Sequence, residues 1–185
     1  MLEEKSYVKA IEIATAQMQY FSTKKLALGA LLAWYISASA TSANKADMYC
    51  IEICEKAVKI CENAHNNNHF FKILFQELLA KTYLKLGNKE NAQMYCDLAL
   101  QSATSQELLY LQVRLNNLKA TILREKLSTQ ADNKKVEHAQ NTIKMYGKAI
   151  DSAKKLNLSN HTRRIEKELT AFKAHCQLNR ILEEK

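Results

Sequence analysis

Apolar side chains recur three or four residues apart along almost the whole chain, the spacing of one face of an α-helix. Tyr7, Ile11, Ala14, Met18 and Phe21 predict a first helix over 6–23, apolar on one stripe and polar elsewhere. The next stretch, Leu26–Asn44, carries no charge. It predicts a buried helix in which Leu32, Ala33 and Ile36 face inward, with Gly29, Ala30 and Ala33 permitting close packing. Ala46, Cys50, Ile53, Ala57, Ile60 and Ala64 then mark the inner stripe of a helix over 45–64, entered by a turn one residue longer than the central one described below. After the polar break His65–His69, Phe70, Phe71, Leu74, Phe75 and Leu78 lead into another helix.

The central stretch is Leu79–Ala99. Leu79, Ala80, Tyr83 and Leu86 share one helix face, and Gly87 interrupts the series. A glycine just past the last periodic residue suits the left-handed helix-ending conformation, and Asn88 suits the cap of the helix that follows. That helix places Ala92, Tyr95, Cys96 and Ala99 inward, which predicts a helical hairpin. Thr104–Glu107 reads as a capping box opening a helix through Leu108, Leu111, Leu115, Leu118 and Ile122. Ser128–Lys135 is the candidate loop; Val136, Ala139, Ile143, Tyr146, Ile150 and Ala153 form the next stripe. A break at Asn157–Asn160 precedes a last helix with Ile165, Leu169, Phe172 and Cys176 inward. The expectation is an all-α chain of about eight helices forming one domain over 1–185. A capping helix (1–24), three degenerate antiparallel hairpins (26–157) and a second capping helix (160–185) make it up, because the open face of an end repeat needs covering.

At Leu79, Ala80, Tyr83, Gly87, Ala92 and Ala99 the chain resembles a tetratricopeptide repeat, whose small and aromatic signature positions have this spacing. It departs from that family at Gln76 and Cys96, where large aromatics are usual, and at Thr104, where a proline often closes the repeat. The resemblance implies stacked hairpins forming a short α-solenoid, and a non-enzymatic scaffold or adaptor. Its first helices would line a groove for a partner's peptide or helix. Carried over position by position, the groove would hold Trp34, Ser37, Glu77, Lys81, Lys85, Asn116 and Asn117. Trp34 reads equally as a ligand anchor and as a core residue. The family's grip on a C-terminal carboxylate is not reproduced, because Glu77 stands at one of its basic positions.

Composition sharpens the class. The chain has no proline and three glycines, which suits long helices and not the turn-rich strands of a β fold. The net charge is +8 and uneven: residues 1–103 carry 11 basic and 10 acidic side chains, residues 104–185 carry 16 and 9. Lys144, Lys148, Lys154, Lys155, Arg163, Arg164 and Lys167 form a basic cluster, diluted by Asp151, Glu166 and Glu168. An alternative function is therefore binding of nucleic acid or an acidic protein surface by this half. Another is a structural or oligomerisation subunit.

Candidate chemistry is sparse. Five cysteines, an odd number without a framework spacing, point to reduced thiols and a cytoplasmic protein. Leu26–Asn44 is too polar in its second half for a membrane span. Ala38-Ser39-Ala40 resembles a signal-peptidase site, but the acidic, amphipathic segment before it argues for a repeat helix. Cys50, Cys54, Cys61 and His65 share a helix face, yet Cys61 lies about 10 Å beyond the first pair, so this helix alone cannot close a four-ligand site. Scattered glycines exclude phosphate-cradling loops, and no nucleophile elbow or metalloprotease motif occurs. The expectation is no catalysis, no metal and no cofactor.

Overall fold

The computed structural model describes residues 2–23, 27–45, 47–63, 68–127, 132–178 and 181–182. These form α1 (Leu2–Thr23), α2 (Ala27–Ala43), α3 (Asp47–Asn63), α4 (His69–Lys85), α5 (Lys89–Ser105), α6 (Leu109–Leu127), α7 (Asp132–Lys155) and α8 (Ser159–Leu178). Among the described residues the chain is all-α, and consecutive helices pack against one another from α1 to α4 and from α6 to α8. None of these helices is long and apolar enough to cross a membrane. Residues 128–131 of the expected loop lie outside the described residues, whereas 132–135 already belong to α7. His65, Ala46 and Ala64 also lie outside them.

Three hairpin corners share one backbone design. At the end of α4, Gly87 sits at φ +78°. Its N–H donates to the Leu84 carbonyl (3.0 Å), and the Asn88 N–H donates to the Tyr83 carbonyl (2.9 Å). These bonds satisfy carbonyls that a helix end otherwise leaves open. The Asn88 side chain then accepts the Asn91 N–H at 3.1 Å, capping α5 as its sequence position suggested. The α5–α6 corner repeats this with Glu107 (φ 54°), and the α7–α8 corner with Asn157 (φ 54°). There Leu108 donates to Ala103 and Leu158 to Ala153, each at 2.9 Å. The expected capping box at Thr104–Glu107 is therefore corrected. α5 continues through Ser105, Thr104 Oγ1 donates back to the Leu100 carbonyl, and Glu107 ends the helix. The turn between α2 and α3 is no longer than the central one: residues 44–46 separate those helices, as 86–88 separate α4 and α5.

Left-handed backbone costs a residue with a Cβ about 1–2 kcal/mol. A Cβ at Gly87 would meet nothing within 4 Å, so the cost of Gly87→Ala is conformational alone. We expect that substitution to destabilise by about 1 kcal/mol and Glu107→Gly to stabilise by about 0.5–1 kcal/mol. Asn157→Gly should change little, because asparagine tolerates this region. Urea midpoints of the three variants check the ordering.

The chain forms two compact units, Met1–Tyr95 and Cys96–Lys185, divided within α5. In the first, Leu31 and Ala38 of α2 meet Cys50, Cys54, Ala57 and Cys61 of α3 and Phe75 and Leu79 of α4. Tyr35 packs edge-on against Phe75, ring centroids 5.9 Å apart. The α3 stripe differs from expectation. Cys54 and Cys61 face the core, Ile53 is half-buried and Ile60 is exposed. Both stripes share Cys50 and Ala57, and free thiols pack as small hydrophobes, so the apolar pattern alone does not choose between them. Tyr83 of α4 and Tyr95 of α5 stack at 5.6 Å, and their hydroxyls donate to Glu55 Oε1 at 3.2 and 3.4 Å. Burial, reinforced by the Glu55 charge, pushes the Tyr95 phenol up to about 12.

In the second unit α6 is buried on several sides: Leu111, Leu115, Leu118 and Ile122 are inward as expected, and so are Val113, Ala120 and Leu123. Ala139, Tyr146, Ala149, Ile150 and Ala153 of α7, with Ile165, Phe172 and Cys176 of α8, complete its core. Val136, expected inward, is exposed near the start of α7. The Lys119 ammonium meets Asp97 at 2.6 Å, linking α6 to α5.

Candidate interaction surface

The α1–α2 hairpin closes tightly at one point. A Cβ on Gly29 would fall 2.7 Å from the ring of Phe21, so only glycine lets that ring lie against α2. Above this contact runs an open groove of about 310 Å³. Its floor is made of small residues, with Ala14 and Ala33 buried and Gly29 beside them. Its walls are Ile13 of α1 and Leu32 and Ile36 of α2; Gln17 is the one polar residue lining it, and no lining residue is charged.

The exposure of α2 follows from its neighbours. Gly29 and Ala33 turn toward α1, and Tyr35 turns toward Phe75 of α4. Between those two edges, at four-residue spacing, lie Leu28, Leu32 and Ile36, on one face of the helix. They are 62, 50 and 46% exposed, and Ile13 across the groove is 55% exposed. Exposed aliphatic side chains of this size are ordinary singly; a contiguous set is the feature of interest.

The expected orientation of α2 changes in part. Ala33 is buried as expected, Leu32 and Ile36, expected in the core, face outward, and Trp34 and Ser37 lie on the side toward α3. Trp34 is half-buried against the core of the first unit, and Ser37 is buried. Both line a separate cleft of about 180 Å³ with Thr15 and Met18 of α1 and Tyr49, Ile53 and Lys56 of α3. The cause is compositional: α2 carries no charge, so polarity does not mark its solvent side. A usable signal was side-chain size. Small residues at 29 and 33 mark the line of approach to α1, which leaves the large aliphatics at 28, 32 and 36 beside it.

Of the other expected groove residues, Glu77, Lys81 and Lys85 belong to the first unit and Asn116 and Asn117 to the second. Glu77 is 1% exposed and accepts Lys81 Nζ at 2.6 Å. Lys85 reaches back to the α2–α3 turn, donating to Asp47 Oδ1 (2.8 Å) and to the Ser42 carbonyl (2.9 Å). In the second unit Asn116 is buried and Asn117 half-buried. Glu77 and Asn116 are buried, and Ser37 is reached only from within the cleft it lines.

Lys144, Lys148, Lys154, Lys155, Arg163, Arg164 and Lys167 are all exposed on α7 and α8. Lys154 pairs with Glu166 at 3.1 Å and Arg164 with Glu168 at 3.9 Å, so acidic neighbours interrupt the positive field. The cleft of about 500 Å³ beside Lys167 is lined by both signs, Arg124 and His175 with Glu125 and Glu168. In the first unit, Cys50 Sγ lies 3.5 Å from Thr82 Oγ1. A hydrogen bond from the Cys54 thiol holds Cys50 down to about 7, and the same contact, with burial, pushes Cys54 up. Both thiols are buried, away from any reactant. Among the described residues no three His, Cys, Asp or Glu side chains converge as metal ligands.

No family model, curated protein or solved structure matches this chain.

Proposed function

We propose that the chain is a non-enzymatic protein-interaction module of the tetratricopeptide kind, engaging a helical segment of another polypeptide. The observation that carries this reading is the uncharged α1–α2 groove with Leu28, Leu32 and Ile36 exposed beside it. An apolar face of this kind favours the apolar stripe of an amphipathic helix, read at three- and four-residue spacing. The resemblance at Leu79–Ala99 supports the same class, and the αL corner at Gly87 has the form that motif requires. Five free cysteines fit a reducing, cytoplasmic setting. The docking surface proposed here lies beside the one the repeat resemblance implied, since Trp34 and Ser37 line the separate cleft against α3.

A benzoylphenylalanine photoprobe in place of Leu32 tests the reading in native lysate. We expect covalent adducts to polypeptide at position 32, and none with the probe in place of Lys59, an exposed residue of α3. Equal labelling at both positions, or none at either, overturns it.

A further inference from the structure

We infer that the occupant of the α1–α2 face is the same face of a second copy of this chain, so that two hairpins pair about a two-fold axis into a four-helix contact. This rests on the interaction reading above and names its partner.

Three observations carry it. The first is shape. A two-fold contact requires one patch to supply both projection and recess. Here the ridge Leu28–Leu32–Ile36 runs directly beside a recess floored by Ala14, Gly29 and Ala33. Leu32 is the middle of the ridge. With two α2 helices crossing antiparallel, Leu32 falls at the axis, and Leu28 of each copy approaches Ile36 of the other.

The second is charge. Two chains of net charge +8 repel one another wherever their basic surfaces meet. Residues 1–103 carry only +1 of that total, residues 104–185 carry +7, and the groove lining carries none. A strongly charged partner would gain nothing from this lining, whereas a second copy brings an equally uncharged one.

The third is area. Leu28, Leu32, Ile36 and Ile13, each about half exposed or more, present on the order of 400 Å² of apolar surface, the size of the largest patch on a typical monomer. A standard interface takes about 800 Å² from each partner, the balance coming from a polar rim. The pair is therefore expected to be reversible and dependent on concentration.

Sedimentation equilibrium of the full chain, from low micromolar to several hundred micromolar, is the test. The weight-average mass should climb from 21.1 kDa toward twice that value. Leu32→Glu sets two carboxylates against each other at the axis and should weaken pairing on the order of 100-fold. Lys59→Glu should leave it unchanged. Far-UV helicity verifies the fold of each variant, and Ile36→Lys serves as the second variant on the same ridge. A wild-type chain that stays at 21.1 kDa at the highest concentration overturns the inference, as does a dimer indifferent to both ridge variants. Adducts of the Leu32 photoprobe with a different polypeptide, beside a monomeric wild-type chain, overturn self-pairing and leave the interaction reading standing. A monomer with no adduct removes both.

Discussion

Phe75→Ala should cost the first unit about 3–5 kcal/mol, the range for emptying an aromatic site in a core. Phe75 is fully buried on α4 and meets the edge of Tyr35 from α2, while the α3 thiol stripe packs into the same cluster. Three helices therefore lose contacts at once, and the cavity cannot be filled by rotating one neighbour. Loss of the ring pair adds about 0.5–1.5 kcal/mol to the area removed from water, a contribution included in the measured total. Phe70 is the control: it lies on the same helix, is exposed, and Phe70→Ala should shift stability by no more than about 0.5 kcal/mol. Urea unfolding followed by far-UV signal, with amide exchange resolved over α2–α4, measures both. A Phe75 loss as small as that of Phe70 would contradict the packing described for this unit.

Tyr146→Ala should cost the second unit a comparable amount, about 3–5 kcal/mol. Tyr146 is the largest fully buried side chain, held on α7 with its ring 6.3 Å from that of Phe172 on α8. Its hydroxyl is buried with no hydrogen-bond partner among the described residues. Burial raises the phenol pKa, and the Arg124 charge on α6 works the other way. Tyr146→Phe keeps the ring and removes a buried hydroxyl that has no partner, so it should leave stability within about 0.5 kcal/mol of wild type or raise it slightly. The gap between the two variants separates packing from polarity. Equal losses would mean that the hydroxyl, and not the ring, organises this core.

The helices themselves were legible because most carry one apolar and one polar side. Tyr7, Ala14 and Met18 of α1, and Ile165 and Phe172 of α8, turn inward where their spacing places them. The corner at Gly87 was equally legible, since its residue type matches its backbone angle. The corner at Glu107 was not: a glutamate carries no sign of φ 54°, and the Thr-x-x-Glu pattern pointed to a helix start one turn too early. The orientation of α2 was hidden for a different reason. Without a single charge, the helix has two faces that look equally fit for burial, and only its packing partners decide between them. On α3 two stripes were equally regular: the thiols of Cys54 and Cys61 took buried places, Ile53 packs half-buried against the same core, and Ile60 is exposed. The exposed ridge on α2 was not legible because Leu32 and Ile36 fit an inner face by spacing as well as they fit an outer one.

The corners at 87, 107 and 157 are joined by main-chain bonds that ask little of the letters above them. Glycine, glutamate and asparagine occupy equivalent joints, so mutation can erase the written likeness between hairpins while each still bends by the same rule. Kinship of this sort is better sought by superposing backbone corners than by aligning sequences.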